Sequence, residues 1–241
     1  MERKEVQYPE IYRICEKYFL DLEDPVLVTK NAKFFTEGYD AYGLTEDQIR
    51  TLKKRLIEEY EIGPHEASEM GLKFLKTGKY EFGSLAIMLL KKFRPRFDRF
   101  VFEQVSLWLE QGIENWAHTD YLCTKVTPVF LELGIIELED LSEWRTSSSK
   151  WMRRAVPVTM LYLKRTVDPK VLLEFLAPMM REKEQTVQQG LGWFLKKLWV
   201  IHPKEVEEFL HHHKKTASRV IIQGATEKMS KERRKRFRKP Q

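Results

Sequence analysis

Pro169-Lys170-Val171-Leu172-Leu173-Glu174-Phe175-Leu176 returns 34 residues later as Pro203-Lys204-Glu205-Val206-Glu207-Glu208-Phe209-Leu210. At the same offset Gln189-Gly190 falls on Gln223-Gly224 and Val187 on Ile221, so seven identities share one register. Proline is tolerated in the first turn of a helix but not in its interior, so the two prolines mark helix starts. The repeating unit is then a helix pair that buries its apolar face against the next pair. The period also suits tetratricopeptide repeats, but their Trp-x2-Leu-Gly-x2-Tyr signature is absent and HEAT-like pairs fit better. Stacked HEAT-like pairs form a superhelical solenoid with one long concave surface.

The rest of the chain reads the same way. Ile11, Ile14, Cys15, Tyr18 and Phe19 form a stripe at helical spacing, as do Ile49, Leu52, Leu56 and Ile57 after a capping box at Thr45-Glu46-Asp47-Gln48. Leu85 to Leu90 reads as a more buried helix and Phe100 to Leu109 as its successor. Breakers at Gly63-Pro64, Gly78, Pro95, Gly112, Gly134, Pro169 and Pro203 separate the helices, and no segment shows the alternation of a half-buried strand. The expectation is an all-α fold, with residues 1–230 as one domain and 231–241 as a basic tail.

The 241 residues carry a formal charge of +6, unevenly placed. Residues 211–241 hold a local +9, which leaves −3 for residues 1–210. A second basic zone, residues 144–167, has Arg145, Lys150, Arg153, Arg154, Lys164 and Arg165 and no acidic residue. A third is Lys91, Lys92, Arg94, Arg96 and Arg99. Basic zones that converge on one surface would bind a polyanion, and nucleic acid is the natural one; the competing reading is solvated helix faces. Cys15 and Cys123 show neither disulfide nor zinc spacing. No stretch has the length of a membrane span or the apolar core of a signal peptide, so a soluble cytoplasmic protein is expected. His211-His212-His213 would project about 100° apart on a helix and cannot all chelate one ion, so no metal site is expected.

Glu114-Asn115-Trp116-Ala117-His118-Thr119-Asp120 carries the candidate chemistry. Asn115 is a good N-cap, and a helix starting there places Trp116, Thr119, Asp120 and Cys123 on one face. Taken alone, this pattern is as readily explained by a packed tryptophan and an ion-paired aspartate. Two further stretches matter: Trp151-Met152-Arg153-Arg154, whose arginines lack nearby acidic partners, and Leu191-Gly192-Trp193-Phe194-Leu195-Lys196.

In that order the three stretches resemble the AlkD-like DNA alkylation repair family, alkylpurine DNA glycosylases built from HEAT-like repeats. Ala41-Tyr42-Gly43-Leu44 is similar to the family's early glycine turn before an Arg-bearing helix, here with Arg50. Lys79-Tyr80-Glu81 is similar to the start of its Glu-containing helix, and the likeness runs from about residue 30 to 230. The resemblance implies that Asp120 is the catalytic carboxylate, that Trp116 and Trp193 wall the lesion site, and that Arg154, or Arg153 beside it, contacts phosphate; Lys150 of the second basic zone and Lys196 are further DNA-binding candidates. It implies duplex DNA with alkylated bases as partner; a solenoid closes its core without a partner, so a monomer is expected, and a purine that is already cationic needs no cofactor to leave. Lys196 stands where the family commonly has Arg, and Gln223-Gly224-Ala225 where it commonly has Arg-Glu-Ala. Lysine keeps the charge but not the bidentate fork. A non-catalytic HEAT-like binding module is the competing expectation.

Overall fold

The computed structural model describes residues 3–237, and these are helical, with one isolated bridge between Lys4 and Tyr60. The all-α expectation holds. The helices divide between two compact units, one ending at Ile135 and the other starting at Ile136. Unit 1 contains α1 (Tyr8–Asp21), α2 (Pro25–Ala32), α3 (Glu46–Glu59), α4 (Pro64–Leu75), α5 (Tyr80–Lys92), α6 (Arg99–Gln111), α7 (Trp116–Lys125) and α8 (Thr127–Glu132). Unit 2 contains α9 (Lys150–Met160), α10 (Pro169–Leu176), α11 (Gln185–Trp199), α12 (Pro203–His213), α13 (Arg219–Thr226) and α14 (Lys231–Lys235).

Helix starts follow local chemistry. Asp24, Asp98, Asn115, Ser149, Asp168, Ser218 and Ser230 each accept an otherwise unsatisfied backbone N–H, and Thr45 with Gln48 closes a reciprocal capping box. Proline occupies the first turn of α1, α2, α4, α8, α10 and α12. Among the described residues no helix is long and apolar enough to cross a membrane, and no disulfide joins the buried Cys15 and Cys123.

In unit 1, α4 packs on both α5 and α6. Trp108 of α6 is fully buried, donates its indole N–H to the Ser68 carbonyl at 2.8 Å, and lies across Gly71 of α4. A Cβ on Gly71 would sit 2.0 Å from the indole, so the α4–α6 approach requires glycine there. The second long-range tie is Glu81, fully buried at the start of α5. Its carboxylate accepts the backbone N–H groups of Tyr42 (2.9 Å), Gly43 (2.8 Å) and Leu44 (3.1 Å). Gly43 adopts φ +89°, and a Cβ would meet the Asp24 carbonyl oxygen at 2.2 Å.

Unit 2 shows what the 34-residue repeat means. The first helices of the two repeats, α10 and α12, pack together, and so do the second helices, α11 and α13. The repeated glycines do equivalent work against the preceding layer. Gly190 of α11 lies against Arg154 and Pro157 of α9, and Gly224 of α13 lies against Gly192 of α11, whose Cα would be only 3.1 Å from a Cβ at Gly224. The basic segment after residue 230 is docked as far as it is described. Phe237 is 1% exposed with the His211 ring tilted against it at 4.6 Å, Arg233 pairs with Glu207 at 3.3 Å, and Lys214 donates to the Arg236 carbonyl. The last residues of the expected tail, 238–241, lie outside the described residues.

Gly71→Ala should lower unfolding free energy by about 1–3 kcal/mol despite alanine's better helix propensity, because Trp108 cannot retreat without breaking its bond to Ser68. Glu81→Gln should cost about 2–3 kcal/mol, since an amide offers one acceptor oxygen to three N–H groups. Urea titration measures both, and stability equal to the parent's would contradict the corresponding assignment.

Candidate nucleic-acid site

Asn115 caps α7 by accepting the His118 backbone N–H at 2.8 Å, which places Trp116 at the first helical position. The indole is 39% exposed and is held from behind. Its N–H donates to the Phe34 carbonyl at 3.0 Å, and its ring stacks on Phe35 at 5.7 Å with a 21° interplanar angle. Phe35 in turn stacks on Tyr39 at 4.6 Å and meets Tyr80 edge-on at 5.5 Å. Asp120 follows one turn later, half-buried. The expected common face is divided by environment: Thr119 and Cys123 are fully buried, whereas Trp116 and Asp120 remain at the rim.

His118 had no assigned role in the sequence, yet it supports α7. It is buried against Tyr80, whose ring stacks on the imidazole at 4.6 Å, and Gly83 makes room for it: a Cβ there would lie 2.4 Å from the imidazole Cε1. Asn115 Oδ1 takes the backbone N–H, so its Nδ2 group faces the ring and lies 3.0 Å from Nδ1; Ser84 Oγ lies 3.1 Å from Nε2. This network assigns the neutral tautomer with hydrogen on Nε2. Burial pushes the imidazole pKa down to about 4, only partly opposed by a hydrogen bond to the Tyr80 backbone. His118 is therefore neutral at physiological pH and acts as packing, not as a phosphate contact.

Part of the third basic zone converges beside this helix. Lys91 lies over the Tyr121 ring at 5.5 Å, and burial, then the nearby Arg94 and Lys125, lower its pKa. Lys53 is likewise lowered, by burial and by Arg50, Lys91 and Lys92. Arg99 turns elsewhere, over Phe102 and toward Glu103.

In unit 2, Ser149 caps α9 and sets out the second group of expected residues. The expectation that its arginines lack acidic partners fails, because the partner comes from 29 residues away. Arg153 forms a forked pair with Glu182 (2.8 and 3.4 Å) and donates to the Ser147 and Ser148 carbonyls. Arg154 is 6% exposed and bonds through one guanidinium nitrogen to the Thr186 carbonyl and hydroxyl, tying α9 to α11. Lys150 lies over the Trp151 ring at 4.9 Å. Trp193 is half-buried on α11, one turn beyond the Gly190 that faces Arg154, and Lys196 pairs with Glu227 at 2.8 Å. In the histidine triplet, the His213 ring packs tilted against Phe209 and the His211 ring against Phe237. Among the described residues no group of three or more His, Cys, Asp or Glu is placed to hold a metal ion.

The His118 pKa sets a pH dependence. An unfolded histidine takes up a proton near pH 6.5 and the folded one only near 4, so stability is full above about 6.5 and falls as pH drops toward 4. The loss is on the order of 3 kcal/mol across that window. His118→Gln should flatten this part of the stability profile in urea titrations at stepped pH; an unchanged slope would contradict the buried neutral assignment.

A family model for DNA alkylation repair enzymes matches residues 15–229. No curated protein sequence matches the chain. Among solved structures, one described as a predicted DNA alkylation repair enzyme from Enterococcus faecalis superimposes with a TM-score of 0.70 at 18% identity, covering 87% of this chain and 97% of that one. At that identity the structural likeness is one of fold. The family match spans nearly the whole sequence, including all the helices of the candidate site, and the protein belongs to the DNA alkylation repair enzyme family.

Proposed function

We propose that this DNA alkylation repair enzyme is a monofunctional glycosylase that hydrolyses the N-glycosidic bond of cationic N3- or N7-alkylated purines in duplex DNA. The observation that carries the reading is the rim of α7: an exposed indole fixed by the Phe34 carbonyl, with a carboxylate one turn away. An alkylated cationic purine departs as a neutral base, so no general acid is needed. Bond breaking leaves positive charge on the deoxyribose, in the manner of glycoside hydrolysis. Asp120 would stabilise that charge and orient the attacking water. The electron-rich faces of Trp116 and Trp193 suit a cationic nucleotide, since an aromatic ring attracts positive charge within about 6 Å.

Backbone affinity would come from Lys150 and the basic zones, and would weaken steeply with salt. Arg153 and Lys196 could join only by exchanging Glu182 and Glu227 for phosphate, and Arg154 serves first to hold α9 against α11. Residues 1–230 are proposed to act as one monomeric module with 231–241 as a basic extension. The competing reading, a non-catalytic DNA-binding module, draws on the same internal pairing of Arg153 and Lys196, which removes charge from the expected footprint.

Release of base from methylated duplex DNA separates the two. The parent should release alkylpurine, and Asp120→Asn should slow release by about 100-fold or more while binding the duplex as tightly. A parent that binds DNA without releasing base supports the binding module; a variant as fast as the parent removes Asp120 from the chemistry.

A further inference from the structure

Unit 2 contains an open cleft of about 640 Å³, a ligand-sized volume, between the turn at Arg145 and the turn that joins α10 to α11. Four cations line it, Arg145, Arg153, Arg181 and Lys183, against two carboxylates, Glu182 and Glu184. Glu182 is turned inward. Its oxygens accept from Arg153 and from the backbone N–H groups of Lys183 (2.8 Å) and Glu184 (2.9 Å), and these bonds hold its carboxyl below the usual range in spite of burial. Arg145 is fixed rather than mobile. Its guanidinium lies over the Phe175 ring at 4.1 Å, donates to the Phe175 carbonyl at 2.7 Å and the Ser142 carbonyl at 3.4 Å, and has the exposed Glu139 carboxylate 4.0 Å away, with its own side chain 19% exposed. Arg181 and Lys183 are exposed and form no ion pair among the described residues.

A pre-set guanidinium flanked by two adjustable cations is the arrangement that a compact multivalent oxyanion requires. A fixed arginine loses little conformational freedom on binding, and the two exposed chains supply the closing contacts. We propose that this cleft binds a phosphoryl group, presented either by the DNA backbone or by a free phosphate compound such as a nucleotide. The inference stands on the charge and shape of unit 2 and needs no glycosylase activity.

Calorimetry of the full chain tests it with two probes, pyrophosphate and a short undamaged duplex. The Arg181→Ala/Lys183→Ala double variant changes only exposed side chains, and an unchanged melting temperature would verify its fold. Arg13→Ala, an exposed cation of unit 1, serves as the control. Loss of two charge-assisted contacts should weaken binding by about tenfold or more in the double variant and leave the control like the parent. Loss for pyrophosphate alone assigns a free phosphate compound. Loss for the duplex, with the salt slope reduced by about 0.9 per lost phosphate contact, assigns the backbone. The proposal is overturned if the double variant binds both probes as the parent does, or if the parent binds neither.

Discussion

The carboxylate of Glu81 is the constraint on which the candidate site depends. A fully buried charge is costly unless its lone pairs are filled, and the three successive amides of Tyr42, Gly43 and Leu44 fill them. That bond set pins the segment between α2 and α3 to the start of α5. Lys79, bonded to Asp40, and the Tyr80 backbone N–H, donating to the Asp40 carbonyl at 2.8 Å, reinforce the same junction. The pinned segment carries Phe34 and Phe35, and these hold the indole of Trp116. Tyr80, adjacent to Glu81, stacks on His118 and so supports the same helix from the inside. One buried carboxylate thus determines where α7 presents its tryptophan, although it touches neither Trp116 nor Asp120 in the bonds described.

How much of this was legible in the sequence depends on distance along the chain. Caps, proline starts and the 34-residue repeat are local or periodic signals, and they place α3, α7, α10 and α12 correctly. Ala41 to Leu44 and Lys79 to Glu81 each stood out, but nothing in either stretch says that one carboxylate bonds the other's amides across nearly forty residues. His118 was invisible for the same reason. Its environment is made by Gly83 and Ser84 on another helix, and a glycine thirty-five residues upstream does not announce which ring fills its space.

Charge shows the gap most clearly. Residues 144–167 contain no acid, so a linear count makes every cation there available to a partner. Folding brings Glu182 to Arg153, Glu227 to Lys196 and Glu207 to Arg233, and the available positive charge shrinks to particular side chains. The Arg153–Glu182 pair is largely buried and costly to break, because the remaining charge would be left without compensation, whereas exposed Glu227 and Arg233 make the other two pairs weaker ties. The basic surface of unit 2 is therefore defined by which cations the fold leaves unpaired, and Arg181 and Lys183 mark it better than the density of Lys and Arg does.

The same reasoning explains why the rim of α7 is built for rigidity. A leaving group that already carries positive charge asks for an ionised carboxylate and a correctly oriented aromatic face, not for an acid with a displaced pKa. Transition-state stabilisation by a fixed charge depends on its being in place before the reaction, since any reorganisation would be added to the barrier. Under the proposed glycosylase reading, the interactions around α7 would serve that requirement. Asn115 fixes the first turn, a neutral His118 fills the space left by Gly83 without introducing a competing cation, and the Phe34 carbonyl stops the indole from turning. A protonated imidazole in that position would add a buried positive charge two residues from Asp120 on the same helix. Holding His118 neutral across the physiological range keeps that charge out of the interior of α7.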